Sequence, residues 1–436
     1  MGFLRRRVVT ALATANALKP LGGYPGPLGS VYGWPTRNIF SFGLGWPVNE
    51  LAPHLLVQTA ADTALAVARG KASKGSLAVA AFTAAGLGYL MRRASAAGPL
   101  AERALSESLG SDYLSKIPGG AANVSLKPKL RELVRPFPRT QPGVEVLRDI
   151  SYRDGERGTR LDIFRPAGVD LTGAPVLIQV HGGAWTIGDK RFEGQLLMNR
   201  MAQRGWVCVA VNYRLAPKHL FPAQIVDVKT AIAWTKEHIA EYGGDPDYAA
   251  VTGGSAGGHL AALAALTPRV KEYQPGFEDV DTSVAACVPF YGVHDLAGVG
   301  GDRASVDHRD EFLGPRVFKL DPEFRREVFE LASPLLHVKP DSPDFFVLHG
   351  EADTVVPVSQ GRAFAAKLRE VSDGVVTYLE LPLAQHGFDA FNSVRAQQAV
   401  RAVERWLEWH RANRRTAATS AAATDEDAPS GARAGR

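Results

Sequence analysis

The stretch AAVTGGSAGGHLAAL, residues 249–263, sets a serine among four glycines, with an apolar run before it and an Ala/Leu-rich run after it. A glycine loop in that setting can cradle a phosphate, present a nucleophile or turn a corner. A dinucleotide fingerprint needs glycines at i, i+2 and i+5, which TGGSAGG does not supply, and a Walker loop needs a lysine that is absent. The pattern that fits is G-x-S-x-G, running from Gly253 to Gly257 with Ser255 at its centre. A sharp strand-to-helix turn holds such a hydroxyl out, and small neighbours let backbone approach without clash. The chemistry on offer is nucleophilic attack.

A serine hydroxyl attacks well only when a base takes its proton and a third group orients that base. With a strand-turn-helix nucleophile the partners follow in the order acid, then histidine. After the apolar run DFFVLHGEAD only His386 and His410 remain. His410 lies beside RANRR and is expected to be a solvated cation at a helix end. His386, in LAQHGFDAF, is the expected base. Asp353, in LHGEADTVVP, is the expected acid; Glu351 is the second choice, expected to face solvent. A tetrahedral intermediate also needs backbone N–H donors, each worth about 3 kcal/mol of barrier. The loop HGGAW offers Gly182, Gly183 and Ala184 directly after an apolar run, and Ala256 follows the serine. His181 precedes Ser255 in the chain and reads as a loop-shaping residue.

These residues need a scaffold. Residues 144–413 alternate short β-branched runs (VEVLRDISYR, TRLDIFRP, PVLIQVHGG, WVCVAVNYR, YAAVTGG, VAACVPFYG, DFFVLHGEAD, VTYLELP) with amphipathic stretches such as FPAQIVDVKTAIAWTKEHIAEYGG. Continuous apolar runs suit strands covered on both faces, and the alternation predicts an open, mostly parallel α/β sheet. Cys208 and Cys287 sit in apolar runs and read as buried thiols. There is no HExxH, no Cys/His cluster and no phosphate loop, so neither metal nor cofactor is implied. From Arg414 the tail lacks large apolar residues and is expected to be disordered.

The net charge of +5 conceals an asymmetry: residues 1–100 carry ten lysines and arginines against two acids. A basic, apolar region predicts contact with an anionic membrane surface, not with nucleic acid. Residues 75–91 form an uncharged run about 25 Å long as a helix, short of the ~30 Å hydrocarbon core. The run LAPHLLVQTAADTALAVA is interrupted by Asp62, the start loosely resembles a signal peptide, and residues 24–47 are rich in Trp, Tyr and Phe. The expectation is a helical hairpin docked on a membrane or the cell envelope. The alternative is a hairpin packed on the catalytic body of a cytoplasmic protein.

HGGAW, VNYRLAPKHLFPAQIVDVKTAIAW, GGSAGGHLAAL, LHGEADTVVP and QHGF, in this order, resemble the hormone-sensitive-lipase-like family of α/β-hydrolase carboxylesterases. The likeness spans about residues 144–413. It implies an α/β-hydrolase fold with Ser255 as nucleophile, Asp353 as orienting acid and His386 as general base. It also implies Gly183, Ala184 and Ala256 as oxyanion donors, Gly182 shaping their loop, and a small-molecule or lipid ester as substrate. Residues 101–143 would connect or cap, and 296–343 would form cap elements over the acyl pocket. Two departures stand out: Ala184 replaces a third glycine, and Gly254 stands where the family often has Asp. An amidase, formamidase or peptidase on the same residues remains open, as does a non-catalytic binding protein on the same fold; oligomeric state is not legible.

Overall fold

The computed structural model describes residues 2–20, 30–31, 34–120, 124–137, 140–153 and 157–426. Tyr24 and Tyr32 of the aromatic stretch, and residues 427–436 of the tail, lie outside these. The eight apolar runs become eight strands: β1 Val144–Ser151, β2 Arg160–Pro166, β3 Ala174–Val180, β4 Val207–Val211, β5 Gly244–Gly254, β6 Ala286–Phe290, β7 Asp344–Gly350 and β8 Val376–Leu381. They form one sheet in the order β8-β7-β6-β5-β3-β4-β2-β1. β1 and β2 pair antiparallel at one edge, while β3 to β8 run parallel. Burial follows this order: β3, β4 and β6 are buried at every position, and edge strand β1 is mostly not.

Two apolar layers sandwich the sheet. On one face Ile225 of α7 (Ala223–His238), Leu260 of α8 (Ala256–Leu266) and Phe364 of α9 (Val358–Val371) pack on Ile178, Val251 and Phe345. On the other, Leu105 of α5 (Ala97–Leu109), Met201 of α6 (Gln195–Ala202) and Trp406 of α10 (Val394–Glu426) pack on Leu177, Ala250 and Phe346. Cys208 and Cys287 are buried free thiols. Residues 101–143 run along this second layer: Ser108 meets Thr377 at 2.6 Å, and Arg401 and Arg405 of α10 hold the backbone at Ser125 and Val124. Segment 296–343 folds into short helices whose Phe312, Phe318 and Phe329 join the first layer, with Phe318 against Phe221.

Two expectations change. His410 does not lie in solvent: it is buried, its ring stacks on Trp406, its Nδ1 meets the Tyr248 hydroxyl at 2.8 Å and its Nε2 lies 3.3 Å from Asp344. The helix face set by Val403, Trp406 and Leu407 carries position 410 inward, which the basic neighbours on the other face conceal. The last helix also continues to Glu426, beyond the point where composition predicts the ordered chain to end.

Four further helices precede this body: α1 Phe3–Leu18, α2 Thr36–Glu50, α3 Ala52–Ala68 and α4 Lys74–Ser95. Among the described residues no helix is long and apolar enough to cross a membrane. The four pack on one another through Ala13, Ala17, Val48, Ala52, Leu87 and Leu90. α2 carries Gly43, Gly45 and Pro47 inside it, so its intrinsic helical preference is poor and tertiary contacts must hold it. Asn16 and Ser41 bond at 2.8 Å, and Glu50 makes a fully buried ion pair with Arg395 while accepting from Ser393 at 2.5 Å. Removing one member of a buried pair strands the other charge in apolar surroundings, at a cost of about 3–5 kcal/mol. Glu50→Ala should therefore lower unfolding stability in urea by about that amount, and Glu50→Leu with Arg395→Met should recover most of it. A loss below about 1 kcal/mol in the single variant would show that α2 is not anchored there.

Candidate active site

The register of the parallel strands builds the site. Val180 pairs with Gly253 and Gly254 with Phe290, so three strands end together and their following loops converge. At that edge Ser255 takes φ 57° and ψ −122°, a strained conformation for a residue with a side chain. Its N–H is held by Phe290 O at 2.9 Å. The turn leaves no room behind it: a Cβ on Gly257 would fall 2.1 Å from Val180 O. The glycines are there because strand and helix backbones touch.

Thirty-three residues separate His386 from Asp353, yet His386 Nδ1 lies 2.7 Å from Asp353 Oδ2. The other carboxylate oxygen accepts the N–H groups of Val355 and Val356, each at 2.8 Å. Burial works against the Asp353 charge, but the charges and hydrogen bonds of His386 and His349 hold its pKa down at about 2. Glu351 faces outward, bonded to Leu383 N at 2.9 Å and near Arg93. Gln385 Oε1, which sequence reasoning missed, accepts from Thr354 N at 2.7 Å and His386 N at 3.0 Å, stapling the two loops together. Its only signal was adjacency to His386. Tyr291, just after β6, lies between the histidine and the serine turn: its ring centre lies 4.6 Å from that of His386, and its hydroxyl lies 2.8 Å from where a Cβ on Gly254 would be. Among the described residues no hydrogen bond joins Ser255 Oγ to His386; such bonds often tighten only with substrate in place.

The HGGAW loop follows β3 with Gly183, Ala184 and Trp185 all at positive φ. The Gly182 N–H is taken, donating to Glu193 Oε2 at 2.6 Å, so Gly182 is not a free oxyanion donor. The N–H groups of Gly183, Ala184 and Ala256 have no hydrogen-bond partner among the described residues. His181 is buried and points its Nδ1 at Gly182 O at 2.6 Å; burial drives its pKa down to about 4, so it is a neutral structural group. NYRLAP buttresses the loop from behind. The Tyr213 ring stacks on His181 and its hydroxyl donates to His181 O at 2.9 Å, Ala216 N reaches Trp185 O at 2.9 Å, and Arg214 forks onto buried Asp227.

The roof on the His386 side comes from α2, which sequence reasoning did not assign to the site. Trp46 Nε1 donates to Gly387 O at 2.8 Å, and Phe42 stands edge-on to His386 with ring centres 6.3 Å apart. Ser255 and His386 are 7% and 8% exposed. Two clefts, of about 980 Å³ beside α6 and about 720 Å³ beside Arg160 and Lys218, are lined by neither residue. Among the described residues no three His, Cys, Asp or Glu side chains are grouped to hold a metal.

An eight-stranded, mostly parallel sheet with a strained serine at the C-terminal end of its fifth strand is the α/β-hydrolase fold. The BD-FAE family model matches residues 161–368. The chain is 42% identical over 416 residues to the probable carboxylic ester hydrolase LipM of Mycobacterium tuberculosis, covering 93% of each chain. It is 47% identical over 264 residues to esterase LipQ of the same organism, covering 59% of this chain and 61% of that one. A truncated carbohydrate esterase from gut microbiota superposes with a TM-score of 0.53 at 25% identity, covering 62% of this chain and 99% of that one. The chain belongs to the hormone-sensitive-lipase-like carboxylesterase family and is a carboxylic ester hydrolase.

The depressed pKa of Asp353 links the site to stability. Its contribution is fully present above the unfolded carboxylate pKa near 4 and is lost as pH falls through about 2. The stability difference between wild type and Asp353→Asn in urea titrations should therefore shrink on going from pH 7 to pH 3, from a charge contribution on the order of 2 kcal/mol. A difference independent of pH would mean that Asp353 is not held as a charge.

Proposed function

We propose that Ser255 is the nucleophile, His386 the general base and Asp353 its orienting acid, with Gly183, Ala184 and Ala256 forming the oxyanion hole. The observation that carries this reading is the strained serine beside a histidine whose Nδ1 is fixed by a buried, ionised carboxylate. With Nδ1–H committed to Asp353, Nε2 is the basic nitrogen. Ser255 Oγ attacks the ester carbonyl as its proton passes to His386 Nε2, and the carbonyl electrons move to an oxyanion met by the free N–H groups. The intermediate collapses, His386 protonates the departing alcohol, and an acyl-Ser255 remains. Water attacks the acyl carbon with His386 again as base, releasing the acid and restoring the serine.

Ser255→Ala and His386→Ala should each lower kcat on p-nitrophenyl esters by about 10³-fold or more, and together by hardly more than either alone. Asp353→Asn should be milder, and Glu351→Gln close to wild type. A fluorophosphonate should label Ser255, and chelators should leave the rate unchanged. If Glu351→Gln were the more damaging acid substitution, or if chelators abolished activity, this assignment would fall.

We also propose that α1 to α4 dock on an anionic membrane surface. Of the large apolar side chains exposed among the described residues, twelve of twenty-two lie on these helices, including Val8, Leu12, Phe40, Leu44, Val57 and Phe82. Exposed Arg5, Arg69, Lys71, Lys74 and Arg92 surround them. Apolar insertion and headgroup attraction then act together. The protein should cosediment with phosphatidylglycerol vesicles and be released in part by salt. Equal, negligible binding to anionic and neutral vesicles would refute the docking.

A further inference from the structure

We propose that Glu193, Tyr291 and Asp389 form a positioning network behind the nucleophile turn, which keeps the oxyanion loop and the His386 loop in register. This rests on the reading that Ser255 and His386 carry the chemistry, and none of the three residues has a part in that proton transfer.

The network touches the oxyanion loop, the serine turn and the His386 loop. Glu193 accepts the Gly182 N–H, and a Cβ on Gly182 would lie 2.8 Å from both Glu193 oxygens and from Gly254 O. The carboxyl thus packs where the oxyanion loop meets the serine turn. Asp389, three residues past His386, accepts the Tyr291 hydroxyl, and the Tyr291 ring lies against both His386 and Phe388. Tyr291 takes φ 37°, a conformation a tyrosine keeps only where its surroundings over-determine it. The departure at Gly254 now has a reason: any side chain there meets the Tyr291 phenol. Carboxyl groups from positions 193 and 389 occupy the region instead.

Two carboxyls in one desolvated region cannot both ionise freely. Burial and then Asp389 push Glu193 up to about 8, while burial raises Asp389 against the pull of Tyr291 and His386. The other groups facing the pair are Tyr213 beside Glu193, Glu50 with its partner Arg395 beside Asp389, and Asp353 beyond Tyr291. Loss of the Glu193 proton on the alkaline side puts a negative charge next to the loop that must receive an oxyanion.

The test measures kcat, KM and the pH–rate profile of full-length Glu193→Gln, Glu193→Ala, Asp389→Asn and Tyr291→Phe, with fluorophosphonate labelling of each. Glu193→Gln keeps an acceptor for the Gly182 N–H and cannot ionise, so it should hold kcat within about threefold and lose the alkaline decline. Glu193→Ala leaves that N–H unpartnered and should lower kcat by about tenfold to a hundredfold with KM nearly unchanged. Asp389→Asn should displace the alkaline limb, as should Tyr291→Phe. Wild-type kcat and profile in Glu193→Ala would overturn the network, as would a Glu193→Gln profile that keeps the wild-type alkaline limb. Those results with labelling intact at Ser255 would sink the network alone; labelling at another residue would sink both readings.

Discussion

Everything at this site depends on one close approach, the backbone of the turn after β5 against the backbone at the end of β3. Gly257 lies so near Val180 O that no side chain fits, and Ser255 is forced to positive φ between them. That strain, of about 1–3 kcal/mol, is sustained by the buried layers on both sides of the sheet. A looser turn would relax Ser255 and separate it from the loops that serve it.

The loops bearing the other groups are far apart in sequence and would drift independently without cross-links. Gln385 ties the His386 loop to the Asp353 loop through two backbone N–H groups, and Tyr291 wedges the His386 ring toward the serine turn. NYRLAP holds the HGGAW loop through Tyr213 and Ala216. Each link is short, buried and directional, so the site is organised before substrate arrives.

The N-terminal helices add a second kind of constraint. α2 is a poor helix by composition, yet Ser41 ties it to α1 through Asn16 and Glu50 pins its C-terminal end to the body through Arg395. Phe42 and Trp46 face His386, while Phe40 and Leu44, two positions away on the helix wheel, face outward. One element therefore joins the surface to the site. Its basic, apolar composition read as a membrane signal; the contacts add a structural role beside it, because the inner face of each helix is small and apolar enough to pack.

By itself the sequence determined what local chemistry encodes. The eight strands are legible because buried parallel strands need continuous apolar runs, and the proposed roles of Ser255, His386 and Asp353 because a strand-to-helix turn, a loop histidine and a post-strand acid each leave a short pattern. Only the tertiary structure decided the rest. Gly182 looks like a donor in HGGAW until Glu193, eleven residues on, takes its N–H. His410 looks solvated until helix phase turns it onto Trp406. Glu193, Tyr291, Gln385 and Trp46 carry no motif, since what they do depends on distance in space between segments up to about 340 residues apart in the chain. A sequence pattern records the constraints a backbone places on its own neighbours; contacts between remote segments exist only once the core has set the geometry.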